Sequence, residues 1–292
     1  MAKSALLKSS IAKKYWMALT GLFLCLFLAG HLAGNLQLIF GTNQQFNEYA
    51  LFMTTNPAVK LLSYLTYISI IFHAIDGILL TVQNKKARPI AYAKNNPAAN
   101  SSFSSRNMAV LGTVILIFIA THMVNFWAKM HFDKNMPLMT KTFTTPTGEV
   151  KNLYVGTVNG QFFDVDQVEI ATQTKDSTAQ NMMMPKQFVV KNRTELYYNQ
   201  VDIKAADLYK DLHKITFNFF KDAKYGLWFT IGYVLAMLAL SFHLWHGFAS
   251  AFQSLGLNNP KFNAGIKFFG KAFSVIVPLL FAIIPLYIHF SK

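Results

Sequence analysis

Residues 21–35 read GLFLCLFLAGHLAGN. A run of uncharged, mostly apolar residues ends on His31, an ionisable ring in a stretch otherwise composed for lipid. Such a ring is costly at membrane depth, so it faces a helix-bundle interior and has a partner there. The pattern recurs as YISIIFHAIDGILL (67–80) around His73, ILIFIATHMVNFW (115–127) around His122 and MLALSFHLWHGF (237–248) around His243. One histidine of each of these four apolar segments is thereby singled out, the last segment also carrying His246.

The remaining composition agrees with a membrane protein. Of 292 residues, 53% are apolar, 14% are charged and 27 are Phe, too apolar for an ordinary soluble domain. The net charge of +14 does not indicate nucleic acid. Its Lys and Arg lie between apolar runs and form no basic surface interleaved with aromatics. Cys25 is the only cysteine. That excludes a disulfide within the chain, a Cys-ligated zinc site and an iron–sulfur cluster held by this chain alone. No C-x-x-C-H occurs, so any haem is held non-covalently. The first apolar run is read as a retained span. It is longer than a signal core, lacks a small-x-small cleavage pattern and carries one of the histidines.

Five segments are long enough to cross about 30 Å of hydrocarbon. They run from Tyr15 to Phe40, Val59 to Val82, Met108 to Trp127, Tyr225 to Phe252 and Phe269 to Phe290. The expected fold is an all-α membrane protein: a four-helix core holding two haems, a peripheral fifth helix, and a long outer-face insertion between helices three and four. The expected division is helices one to three in 1–130, the insertion in 131–224 and helices four and five in 225–292. Twelve Lys and Arg lie in the N-terminal stretch and in the short connections after helices two and four. By the positive-inside rule this places the N-terminus in the cytoplasm and the C-terminus outside. The setting implied is a bacterial inner (plasma) membrane, crossed several times. Within the insertion, KTFTTPTGEVKNLYVGTVNGQFFDVDQVEI (141–170) carries TPTG and NG turn signals between Val, Tyr and Phe-rich runs, which predicts β-hairpins. The polar stretch 173–187 is read as a loop. Ala205 to Asp222 has helical apolar spacing and is read as an interfacial helix.

Because helix direction alternates, sequence position converts to depth. His31 and His122 fall in the outer half and His73 and His243 in the inner half. At 1.5 Å per residue the two layers lie roughly 10–14 Å apart. Two opposed pairs of imidazoles at two heights predict two haem b groups, each held by two histidines: His31 with His122, and His73 with His243. Gly30, Gly34, Gly77 and Gly247 lie near these histidines and permit close approach of a helix or a flat macrocycle. A lone membrane histidine more often serves a structural hydrogen bond or a proton path, so a non-redox membrane protein stands as the competing reading. No helix carries two histidines four turns apart, the spacing of respiratory cytochrome b.

At these residues the chain resembles the single-chain, five-helix, di-haem cytochrome b (b558 type) membrane anchor of succinate dehydrogenase and fumarate reductase. The matching pieces are GHLAGN around His31, IFHAIDG followed by QNKKARP around His73, THMVNFW around His122, and SFHLWHGFASAFQSLGL around His243. The resemblance covers nearly all of the chain except about residues 133 to 205, and the long insertion departs from compact members of the family. It implies that His31 and His122 ligate the distal haem iron and His73 and His243 the proximal one. It also implies a flavoprotein and an iron–sulfur subunit docked on the cytoplasmic face, and electron transport through the haems to or from menaquinone or ubiquinone in the lipid, in a respiratory chain linked to the tricarboxylic acid cycle. The anchor carries no dicarboxylate chemistry itself. A di-haem anchor of another quinone-linked oxidoreductase is the alternative.

Other residues are assigned by topology. Glu48 and His131 are candidate proton carriers of an outer quinone site, with Asn125 and Trp127 beside them, and Asn35 and Gln37 in the same region. His246 lines the proximal pocket or replaces His243 as ligand. Asp76, one turn after His73, is expected to pair with Lys13 or Lys14. His213 and His289 receive no role.

Overall fold

The computed structural model describes residues 9–90, 94, 96–170 and 186–291. Five helices are long and apolar enough to cross a membrane: Ile11–Phe40, Pro57–Lys86, Met108–Phe132, Gly226–Ser254 and Pro260–Phe290. They contain the five expected spans apart from Tyr225, which caps the fourth helix. The helices outrun the apolar runs because polar residues cap them beyond the hydrocarbon. Asn56 and Asn259 each accept backbone N–H bonds ahead of a proline at the first helical position.

The chain divides into two compact units. The membrane unit comprises Met1–Ile39, Asn56–Thr121 and Phe220–Lys292; the insertion unit comprises Phe40–Thr55 and His122–Phe219. The membrane unit has an inside-out surface. Leu26, Ile117, Trp228 and Phe268 are among its exposed large side chains, a pattern suited to acyl chains rather than water. Its core joins Cys25 of the first span, Met237, Leu240, Leu244 and Phe248 of the fourth and Ala282 of the fifth, with Ile115 and Phe118 of the third packed against them.

The fifth span is not peripheral. It is the most buried of the five, at 39% against 6–28% for the others. Small residues explain this. A Cβ at Gly270 would lie 2.6 Å from the Phe248 ring, and Ser274 is fully buried, so the fourth and fifth helices meet at close range.

The insertion unit departs from an all-α fold. Strands β1 (Thr140–Thr144), β2 (Val150–Val155) and β3 (Phe162–Asp164) form an antiparallel meander. The turn glycines Gly148 and Gly160 have positive φ, as the TPTG and NG signals require. A second sheet runs β4 (Val168–Ile170), β5 (Phe188–Lys191), β6 (Glu195–Tyr198) and β7 (Lys204–Asp207), with β4 and β5 parallel. Both sheets contribute to one core around Tyr154, Val168, Phe188, Leu196 and Leu208. Most of the stretch read as a polar loop, residues 173–185, lies outside the described residues.

The expected interfacial helix is half strand. Residues 204–207 pair with β6, and buried Ala206 and Leu208 follow a period of two. Helix starts only at Leu212 and runs to Phe220. Asp211 fixes that start. Its carboxylate accepts from the Lys214 N–H at 2.9 Å and from the Asn47 amide at 2.9 Å, while the Asn47 carbonyl accepts from the His213 N–H at 3.1 Å. Asn47 and Asp211 are almost wholly buried and tie this helix to Asn43–Thr55, a helix the sequence reading passed over. Losing the cap and stranding the buried amide together cost about 2–4 kcal/mol. Asp211→Ala should therefore make the insertion unit far more sensitive to limited proteolysis, while the spans stay in the membrane.

His213 lies beside Phe46 and stacks on Phe217. Burial pulls its pKa below the ordinary histidine value, against a smaller opposing pull from Asp211. The unfolded chain thus takes up the proton first as pH falls. The insertion unit should lose protection progressively as pH drops below about 6.5. His213→Phe should weaken that dependence in the same proteolysis assay.

Candidate functional site

The second and fourth spans bring His73 and His243 together edge to face. Their ring centroids are 6.2 Å apart and their planes cross at 68°. Each ring lies against a glycine of a neighbouring helix. A Cβ at Gly21 would stand 3.1 Å from His73 Cε1, and one at Gly112 would stand 3.7 Å from His243 Cε1. Gly21 creates space for the His73 ring, whereas a side-chain atom at Gly112 would make only ordinary contact with His243. Sequence reading missed them because it looked for small residues on the histidines' own helices. There Gly77 and Gly247 only meet Met17 and Met108 at ordinary contact distance, and a Cβ at Gly30 would meet nothing within 4 Å.

The two rings are held differently. Thr20 Oγ1 is 3.3 Å from His73 Nδ1. His243 Nδ1 is buried without a hydrogen-bond partner. Such an atom bears a desolvation cost of about 1–3 kcal/mol. His246, one turn on, faces elsewhere. Its Nε2 is 3.3 Å from Ser250 Oγ, and it lines an open pocket of about 250 Å³ with Ser102, Trp245, Gln253, Lys267 and Lys271. His243, not His246, is therefore the partner of His73.

Donor count narrows what this pair can hold. Among the described residues no group of three or more His, Cys, Asp and Glu could hold a metal ion. Two imidazoles alone make a poor site for a bare cation. They suffice for an iron whose other four ligands come from a macrocycle. An iron bonded to both rings at about 2 Å each, with half an imidazole added at either end, spans close to the observed centroid separation. The donor set, the ring separation and the tight seat of His73 on Gly21 fit a haem.

His31 also belongs to the membrane unit. Its ring stacks on Phe27, with centroids 5.2 Å apart, and tilts against Phe281 at 5.7 Å. The Asn35 amide is 3.4 Å from both ring nitrogens and donates to the His31 carbonyl at 2.8 Å. His31 follows Gly21 by ten residues, about 15 Å along the helix, so it stands well above the His73 level. His122 follows Gly112 by the same ten residues.

His122 falls in the insertion unit and opens an unusual feature. Met123–Ala128 is a π-helical segment inside the third span. Such segments are rare and concentrate at functional sites. This one carries two of the quinone-site candidates, Asn125 and Trp127. A third, His131, sits in the helix's last turn, not beyond it. Its ring stacks on Trp127 at 4.6 Å, and its Nδ1 meets the Trp127 carbonyl at 2.8 Å. Arg193 and Lys210 donate to the His131 and Met130 carbonyls at 2.7 Å, satisfying the helix end. Burial and the nearby Arg193 cation both hold the Lys210 amine below its ordinary pKa. Glu48 has other neighbours. Gln44 donates to it at 2.7 Å, and its charge helps burial raise the Tyr209 phenol's pKa.

Asp76 does not pair with Lys13 or Lys14. The ion pairs found among the described residues lie in the insertion unit. His289 Nδ1 lies 2.7 Å from the Phe220 carbonyl, a structural contact. Comparisons with family models, curated proteins and solved structures find no match to this chain.

Proposed function

We propose that the chain is a di-haem cytochrome b that anchors a succinate:quinone oxidoreductase in the membrane and passes electrons between an iron–sulfur subunit and quinone. The observation that carries the reading is the His73–His243 pair: two imidazoles from different spans at bis-histidine spacing, with His73 seated tightly against Gly21. The pair lies between spans, where a third protein ligand is absent among the described residues.

In this reading His73 and His243 would hold the haem nearer the cytoplasmic face, and His31 and His122 would hold the farther one. Haem iron supplies one-electron transfer; the chain supplies axial ligands, dry apolar walls and hydrogen bonds that set the potential. Cys25 is the only cysteine and no flavin motif occurs, which fits a division of labour in which partner subunits on the cytoplasmic face carry flavin, clusters and dicarboxylate chemistry. The π-helical segment and its Trp127–His131 stack support a quinone site at that end of the third span, with His131 and Glu48 as candidate proton carriers and Asn125 and Trp127 lining it. The basic connections support a bacterial inner-membrane orientation with the N-terminus inside.

Purification of the chain in mild detergent from its native membrane tests the reading. It predicts co-purification of a flavoprotein with covalent flavin and an iron–sulfur subunit, and succinate-dependent quinone reduction. Recovery with a hydrogenase or formate dehydrogenase instead would transfer the anchor to another oxidoreductase.

A further inference from the structure

The two imidazoles of the inner pair are held unequally: His73 has the Thr20 hydroxyl and the Met17 backbone as polar neighbours, whereas His243 Nδ1 has no hydrogen-bond partner. Thr20 is buried, with 8% of its surface exposed. Its Oγ1 lies 2.7 Å from the Trp16 carbonyl and 3.2 Å from the Met17 carbonyl, so its single proton is given back to its own helix. Toward His73 Nδ1, at 3.3 Å, the hydroxyl can then only accept. That bond places the ring proton on Nδ1 and leaves the Nε2 lone pair for a ligand. Next to it, Gly21 lets the ring lie flat on the first helix, since a Cβ there would already press on His73 Cε1. His243 has no counterpart to Thr20, because its Nδ1 is unpartnered.

We infer that Thr20 is a positioning residue for His73. It fixes the tautomer and rotation of that imidazole, makes it the more basic of the two axial ligands, and so holds the reduction potential of that haem down. The inference rests on the haem reading above. A ring whose N–H is engaged by an acceptor donates more strongly to a metal, and stronger donation favours the oxidised ion.

The test is a potentiometric titration of the purified complex followed at the b-haem α band, with low-spin EPR on the same samples. Thr20→Val keeps the shape and removes the acceptor; Thr20→Ser keeps the acceptor. The proposal predicts that in Thr20→Val one of the two titration waves moves to higher potential with an altered g-anisotropy, the other wave stays put, and Thr20→Ser behaves as wild type. Loss of that haem alone from both Thr20→Val and Thr20→Ala, with Thr20→Ser fully loaded, also supports it. Two haems with unchanged potentials and spectra in Thr20→Val overturn the inference and leave the haem reading standing. A wild-type complex without haem removes both.

Discussion

Replacement of His73 by alanine should take one haem of two out of the protein and leave the other spectroscopically unchanged. The reason is the separation of levels along the helices. His73 meets the first span at Thr20 and Gly21, whereas His31 stands ten residues further along that helix, about 15 Å away. At that distance, with no shared contact, the two sites respond independently. His243→Ala should give the same half-loaded protein, because the two rings meet edge to face at 6.2 Å. His31→Ala and His122→Ala should each remove the other haem. His289→Ala should keep both, since that ring is occupied with the Phe220 carbonyl. Haem quantification per chain by the pyridine haemochrome method, with circular dichroism to check helix content, reads the outcome. Loss of both haems from one folded single variant would mean that the two sites are not separate.

Gly21→Leu should reproduce the His73→Ala phenotype without touching a ligand. The first added atom would sit 3.1 Å from His73 Cε1, tighter than ordinary carbon contacts. The rest of a leucine side chain needs volume the imidazole occupies. Overpacking of this kind costs about 1–3 kcal/mol, and here the ring is the softest element to yield. The ring would rotate away from His243, and the proximal haem should be lost or become five-coordinate and high-spin. Gly265→Ala is the control on the fifth span, where an added Cβ meets nothing within 4 Å. Optical spectra of the two variants separate a local steric effect from a general intolerance of side chains at helix glycines.

The spans and the histidine levels were readable in the sequence because both follow from one-dimensional rules. A helix crossing lipid needs about 20 apolar residues, and alternation of direction turns residue number into depth. Turn chemistry gave the meander in the same way, through the TPTG and NG signals that become Gly148 and Gly160 at positive φ. What the sequence hid depends on neighbours far along the chain. Residues 205–208 have apolar spacing compatible with helix, but β6 supplies a ladder, and strand wins there until Asp211 caps the helix. The fifth span looked peripheral because it bears no membrane-depth ligand histidine, yet Gly270 and Ser274 let it pack against Phe248. Gly21, Gly112 and Thr20 matter only through histidines on other helices, so no periodicity announces them. Asp76 was expected to pair with a lysine, and no ion pair found among the described residues includes it.

The most direct measurement is a reduced-minus-oxidised optical spectrum with EPR and haem count on the intact purified protein. The account predicts two b-type haems per chain, both low-spin and six-coordinate in the oxidised state. A correctly folded preparation with no α band, or with iron that is five-coordinate and high-spin throughout, would contradict it.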